Sequence, residues 1–237
     1  MPLAFLVKCY RCSSCSISRV MSFSCMAMAP IALLVRTFIK PEKVADFEAC
    51  VTEEFHLNYM NAPGVFLCQM LKGKDQGEFV MFEIYADKDT LKAHGDRPHV
   101  IAANKRQREE RMFSKQASMH ALKIIGPSGI KIGTASHGVI TKFTVKADSG
   151  ERFEKEALTL LQEVQSKEPG NLLYVLGKDA RDSKAYFFLE LYASKDALRQ
   201  HEESDCFQGA NQRLAPFLDG VAHAEVLRTL GVSNAKL

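Results

Sequence analysis

The chain has 237 residues, 46% of them hydrophobic, which is enough for one large core or two small ones. Its formal charge of +3 arises in the first thirty residues, where Lys8, Arg11 and Arg19 stand without an acid; the 31 basic side chains less these three leave 28 against 28 acidic ones. A neutral body with no Lys/Arg block among aromatics lacks the footprint of a nucleic-acid binder, and the longest uncharged apolar run, Met26 to Val35, is too short to span a bilayer as a helix.

Residues 1–29 are rich in Ser and Cys and free of acid, the composition of an organellar transit peptide or of a disordered leader preceding a later start at Met21, Met26 or Met28. Cys9-x2-Cys12-x2-Cys15 has a metal-like spacing, but no fourth thiolate follows at a suitable distance. Seven cysteines, four of them in this leader, do not form a disulfide framework and suggest a reducing compartment. The other end, Ala235-Lys236-Leu237, is similar to the peroxisomal Ser-Lys-Leu signal. The addresses read from the two ends are therefore peroxisome, or mitochondrion or plastid.

Ile31 to Ile39 predicts a strand, and Pro41 opens a helix whose apolar face is Val44, Phe47, Val51 and Phe55. Pro63-Gly64 ends that segment, Val65 to Leu71 and Glu78 to Tyr85 predict two strands around the turn Gly73–Gly77, and a helix begins at Lys88. It breaks around Gly95 and Pro98, resumes to about Arg111, and Met119 to Ile125 predicts a fourth strand. After a Gly-rich linker over 126–137 the order returns. Val139 to Lys146 predicts a strand, a helix runs on Phe153, Ala157, Leu160 and Val164, and Pro169-Gly170 ends it. The strand Leu172 to Leu176, the turn Gly177-Lys178-Asp179, the strand Ala185 to Tyr192, helices through His201 and Asn211, and the strand Val221 to Leu230 complete the second half.

Glu83 to His94 recurs as Glu190 to His201 at an offset of 107 residues, and Ala103-Asn104-Lys105-Arg106 recurs as Ala210-Asn211-Gln212-Arg213 at the same offset. A period this long marks a duplicated domain. Each copy reads βαββαβ, a ferredoxin-like unit of α+β class with both helices on one face of its sheet. The other face, left apolar, predicts that the two units pack sheet to sheet. The domains are thus a leader over 1–29, units over 30–125 and 138–230 flanking the linker, and a tail over 231–237.

The Pro-Gly before the second strand, Glu-x-Tyr at the end of the third and Leu-x2-His in the next helix occur in both copies. Together they resemble the antibiotic biosynthesis monooxygenase (ABM) domain, a dimeric α+β barrel, over about residues 31–230. The resemblance implies an intrachain pseudo-dimer, with a further homo-oligomer left open. It also implies an oxidoreductase needing no cofactor, with a small aromatic molecule and O2 as partners and neither nucleic acid nor membrane.

Strand parity puts Phe79, Met81, Glu83 and Tyr85 on one face, and Tyr186, Phe188, Glu190 and Tyr192 on the same face of the second copy. His94 and His201 follow on the returning helix. The candidate catalytic residues are accordingly His94, His201, Glu83 and Glu190, as imidazole bases oriented by carboxylates. The candidate substrate-binding residues are Tyr85, Tyr192, Asn104, Asn211, Asn58 and His99. The first copy is the richer in proton-carrying groups, adding His56, Asn58, Tyr59, Asn61 and His99. No metal spacing is present in the body. Each of these residues has a structural alternative, as a sheet-edge cap or a helix-end charge. Three functions stay open: a cofactor-free monooxygenase of phenols or quinols, a non-oxidative isomerase or lyase on a small carbonyl compound, and a non-catalytic binding or stress-response module.

Overall fold

The structure, a computed structural model, describes residues 20–22, 30–54, 62–126, 129–131 and 133–235. The first unit runs β1 (Val20–Ser22), β2 (Ile31–Ile39), α1 (Val44–Glu54), β3 (Val65–Lys72), β4 (Glu78–Tyr85), α2 (Lys88–Gly95), α3 (Pro98–Glu109) and β5 (Phe113–Ile125). The remainder is β6 (Gly129–Lys131), β7 (His137–Thr144), α4 (Gly150–Lys167), β8 (Asn171–Asp179), β9 (Ala185–Tyr192), α5 (Lys195–Glu203), α6 (Asp205–Leu214) and β10 (His223–Ala235).

The strands follow the order β8-β5-β2-β4-β3-β10-β7-β9, and β9 pairs back with β8, so eight strands close into a barrel. Within each unit the order is last, first, third, second strand. The units are joined by exchange: β10 of the second pairs with β3, and β5 of the first pairs with β8. Closure leaves these strands without the open edges that isolated units would present.

Alternation along the strands sorts side chains between two spaces. Ala32, Leu34, Val80, Phe82 and Ile84 join Ile140, Phe187, Leu189 and Leu191 in a core inside the barrel. Their neighbours Leu33, Phe79 and Tyr85 face outwards and pack with Phe47 and Val51 of α1. The expected parity of β4 and β9 is therefore the observed one. In the second unit the outward face packs under α4 and α6 around Phe143, Phe153, Tyr174, Tyr186 and Phe188.

Several boundaries differ from the sequence reading. The leader supplies a short strand, since Val20–Ser22 pairs with Gly129–Lys131. The Gly-rich linker contributes Ile130, buried in the barrel core beside Ala135. β5 starts at Phe113 rather than Met119, because Ser114 to Met119 are exposed and carry no apolar alternation, while their backbone pairs with β2. Gly177-Lys178-Asp179 is strand, not turn. Gly177 lies opposite β5, where an added Cβ would sit 2.8 Å from Leu122 Cβ, so the glycine answers a close approach between strands. The echo of His120-Ala121 in His223-Ala224 is also not a structural equivalence: Leu34 pairs with His120, whereas its counterpart Ile140 pairs with Glu225.

Candidate functional site

The repeated stretch is held the same way in both copies. Asp87 accepts a hydrogen bond from the Thr90 backbone N–H at 2.7 Å and Ser194 accepts one from Ala197 at 3.0 Å, capping α2 and α5. Such a cap contributes about 1 kcal/mol and fixes where each helix begins. One helix length later His94 and His201 come to lie over the tyrosine that ends β4 or β9. The Tyr85–His94 ring centroids are 5.6 Å apart, and those of Tyr192 and His201 5.5 Å.

In the first unit a cavity of about 340 Å³ opens between the sheet and the helices. Val35, Phe47, Val51, Met70, Met81 and Phe113 make its apolar wall; Glu83, Tyr85, His94, Asn104 and Gln107 supply polar groups. The Thr37 hydroxyl is also in the wall, buried without a hydrogen-bond partner among the described residues. Burial, with help from the positive charge of Arg97 and from His99, lowers the pKa of His94 to about 4, so its imidazole is neutral near pH 7. Burial, then the Glu83 carboxylate, holds Tyr85 far above the usual phenol range and keeps its hydroxyl protonated. That hydroxyl makes no hydrogen bond of ordinary length among the described residues. The Cys68 thiol donates to Glu83 Oε1 at 3.8 Å. A planar guest with one polar edge would find an acceptor imidazole, a phenol donor and a carboxylate at one end of an apolar slot.

The second unit fills the corresponding space. β2 and β7, and β4 and β9, superimpose by register, so Thr37 corresponds to Phe143 and Met81 to Phe188, while Cys68 corresponds to Tyr174. Three aromatic rings thus stand where the first unit has smaller side chains. Phe143 and Phe188 centroids are 5.2 Å apart, Tyr174 and Phe188 5.1 Å. His201, 1% exposed, is tied through Nδ1 to Glu168 Oε2 at 2.9 Å, and Tyr192 donates to Glu190 Oε2 at 2.7 Å. Burial raises Glu168, but hydrogen bonds from His201, Cys206 and Ser204 outweigh it and hold the carboxyl below its ordinary value. Glu190 has no such surplus of partners: burial pushes it up to about 7 against the opposing pull of His201 and Tyr192.

The structure therefore gathers Glu83, Tyr85, His94 and Asn104 around one cavity, with Asn104 exposed at its rim. It gathers Glu190, Tyr192 and His201 in a packed core, and leaves Asn211 exposed on α6. His99 is half-buried on α3, outside the cavity wall but close enough to lower the His94 pKa. Asn58 lies outside the described residues, as do His56, Tyr59 and Asn61. Sequence reasoning missed Glu168. It precedes Pro169 as Ala62 precedes Pro63, so the shared Pro-Gly was the available signal that a carboxylate had been added beside His201. It also missed Thr37, Gln107 and the wall residue Met70. Among the described residues no group of three or more His, Cys, Asp or Glu is arranged to hold a metal ion. Nor is any described helix long and apolar enough to cross a membrane. The leader apart from residues 20–22, and Lys236-Leu237 of the tail, lie outside the described residues, so both targeting addresses remain expectations.

A profile of the antibiotic biosynthesis monooxygenase family matches residues 30–106 and 136–213. A solved structure of a candidate monooxygenase from Lactobacillus acidophilus NCFM is similar with a TM-score of 0.77 at 14% identity, covering 87% of this chain and 96% of that one. A candidate monooxygenase from Fusobacterium nucleatum gives 0.76 at 18% identity, with 90% and 100% covered. An anthrone oxidase-like protein gives 0.61 at 13% identity, with 92% and 96% covered. At these identities the likeness is one of fold, and it extends over both units. No curated protein matches the chain.

Proposed function

We propose, for a chain that belongs to the antibiotic biosynthesis monooxygenase family through both of its halves, that the first unit oxygenates a small phenol or quinol with O2 and that the second is its structural partner. The observation that carries this reading is the asymmetry of the copies: His94, Glu83 and Tyr85 border an open apolar cavity, while their counterparts are packed beneath Phe143, Tyr174 and Phe188.

The chemistry asked of the protein is proton handling in a dry site. A neutral His94 accepts a hydrogen bond from the substrate phenol. Full transfer to a base of pKa about 4 is uphill by roughly 8 kcal/mol for a phenol of ordinary pKa, at about 1.4 kcal/mol per unit. Proton and electron therefore leave together, because a phenol that has lost an electron is a strong acid. The electron reduces O2 to superoxide, the proton rests on His94, and the two radicals combine at a ring carbon. His94 returns its proton to the peroxide, and loss of the carbon-bound hydrogen with O–O cleavage gives a quinone and water. Tyr85, held protonated, donates to the developing oxygen anion, and the apolar wall excludes water from the radical pair.

Oxygen uptake with a panel of hydroquinones tests this directly. The wild-type protein is expected to consume O2, His94→Ala to lose roughly 100-fold or more, the usual scale for a proton-transfer group, and His201→Ala to keep its rate within a few-fold. Wild-type protein without O2 uptake, or equal losses in the two variants, would overturn the assignment.

A further inference from the structure

The barrel interior contains a second cavity that the proposed reaction does not use. It is about 610 Å³ in volume and lies at one mouth of the barrel, away from the end that Ile130 and Ala135 close. Its walls come from β2, β5, β7, β9 and the start of β10, so both units contribute. Leu34, Ile140 and Phe187 form an apolar floor, and Lys74, Lys142, His120 and His223 stand around it.

Duplication makes the difference between the two sides readable. Arg36 on β2 corresponds to Lys142 on β7, Val80 to Phe187 and Glu78 to Ala185. Arg36 is neutralised, bonding both Glu78 and Glu225. Lys142 has Ala185 where that carboxylate would be, and neither it nor Lys74 forms an ion pair among the described residues. Where the first unit has Val80, the second places an aromatic ring. His120 packs on that ring at 4.8 Å between centroids, fixed by its Nδ1 contact of 2.6 Å to Asp179 Oδ2, and Lys142 Nζ is 5.9 Å from the same ring. The carboxylates bordering this mouth, Glu78, Glu225 and Asp179, are already engaged, and two lysines are not. A lysine without its counter-ion beside a ring platform is suited to a ligand that brings both a negative charge and a flat apolar body.

We propose that this mouth is a binding site for a small aromatic carboxylate, its ring against Phe187 and His120 and its carboxylate on Lys142 and Lys74. The site is independent of the oxygenase reading, since among the described residues no side chain lines both cavities. Calorimetric titration of the full chain with 2-naphthoate at pH 7 tests it, with 2-naphthalenemethanol and inorganic phosphate as the uncharged and the non-aromatic comparators. Saturable binding at one site per chain is expected, weakened tenfold or more in Lys142→Gln and in Phe187→Leu and unchanged in Met81→Phe, which fills the other cavity. Both comparators should bind at least tenfold more weakly. Lys142 is exposed, so Lys142→Gln is expected to melt with the wild type even if Phe187→Leu is destabilised. The proposal is overturned by the absence of saturable binding. It is equally overturned by binding that survives in Lys142→Gln but is lost in Met81→Phe, or by a comparator that binds as tightly as the naphthoate.

Discussion

His94 and His201 occupy the same place in the repeat and meet opposite chemistry. His201 has the Glu168 carboxylate at Nδ1, whereas in the first unit Ala62 stands at the sequence position of Glu168, and His94, close to the positive charge of Arg97, titrates at about 4. As a proton acceptor His94 must be neutral, so O2 uptake is expected to be flat through pH 6.5 and to fall only as pH approaches 4; an inflection near 6.5 that His94→Gln abolishes would contradict this placement. Stability follows with opposite signs at two residues. The unfolded chain protonates this histidine near 6.5 but the folded chain only near 4, so its contribution is complete above 6.5 and is lost as pH falls towards 4. Glu190 is the reverse: the folded chain keeps its proton up to about 7 and the unfolded chain releases it near 4.5, so stability drains as pH rises between those values. Glu190→Gln, which retains an acceptor for Tyr192, should leave stability at pH 4 almost unchanged and raise it at pH 8 by on the order of 3 kcal/mol in denaturant titrations. No gain at pH 8 would mean that the buried carboxyl is already neutralised by its neighbours.

At the scale of the element, β2, β3 and β4 hold a cavity where β7, β8 and β9 hold a core, and the difference comes down to a few wall positions. Met81→Phe in β4 reproduces Phe188 and should abolish O2 uptake while the melting temperature holds or rises, because it fills space rather than removing contacts. The reverse change, Phe188→Met in β9, withdraws a ring that packs on Phe143 and Tyr174 and should cost about 1–3 kcal/mol with no effect on rate. A Met81→Phe protein as active as the wild type would place the reaction elsewhere. The strands themselves were legible in the sequence: apolar runs between turn residues marked the bounds of β2, β4 and β9, and period-two parity the faces of Glu83 and Tyr85. The cavity was not, because period-two patterning tells which face a side chain takes but not what stands across from it. Met81 and Phe188 are both apolar outward positions, and whether a gap is left depends on their size together with what the neighbouring strands place beside them, Thr37 and Cys68 in one unit and Phe143 and Tyr174 in the other. Glu168 was hidden for a similar reason, as its partner His201 is 33 residues away in the chain. Gly177 was misread because a glycine demanded by a neighbouring strand looks, in one dimension, the same as a glycine demanded by a turn.

For the whole molecule, the βαββαβ order in duplicate foretold two sheets packed together, but not that each unit would lend a strand edge to the other. The β3–β10 and β5–β8 ladders are the backbone seams that close the barrel between the units, and they bury Leu34, Phe82, Phe187 and Leu189 in one shared core. A unit by itself would expose both seams and the inner apolar face of its sheet, which is a template for self-association. Residues 30–128 expressed alone are therefore expected to run as a homodimer or larger species in light-scattering chromatography, pairing β3 with a second copy's β5. Joint expression with residues 129–237 should instead give a one-to-one complex, because the native seams bring Ile130 and β10 back to the barrel. That complex should also recover O2 uptake, since the described residues of the cavity wall all belong to the first unit but its strands are held by the second. A first unit that is monomeric and unfolds cooperatively at the temperature of the intact chain would show that the seams do not hold the barrel together, and that each sheet is stabilised by its own helices.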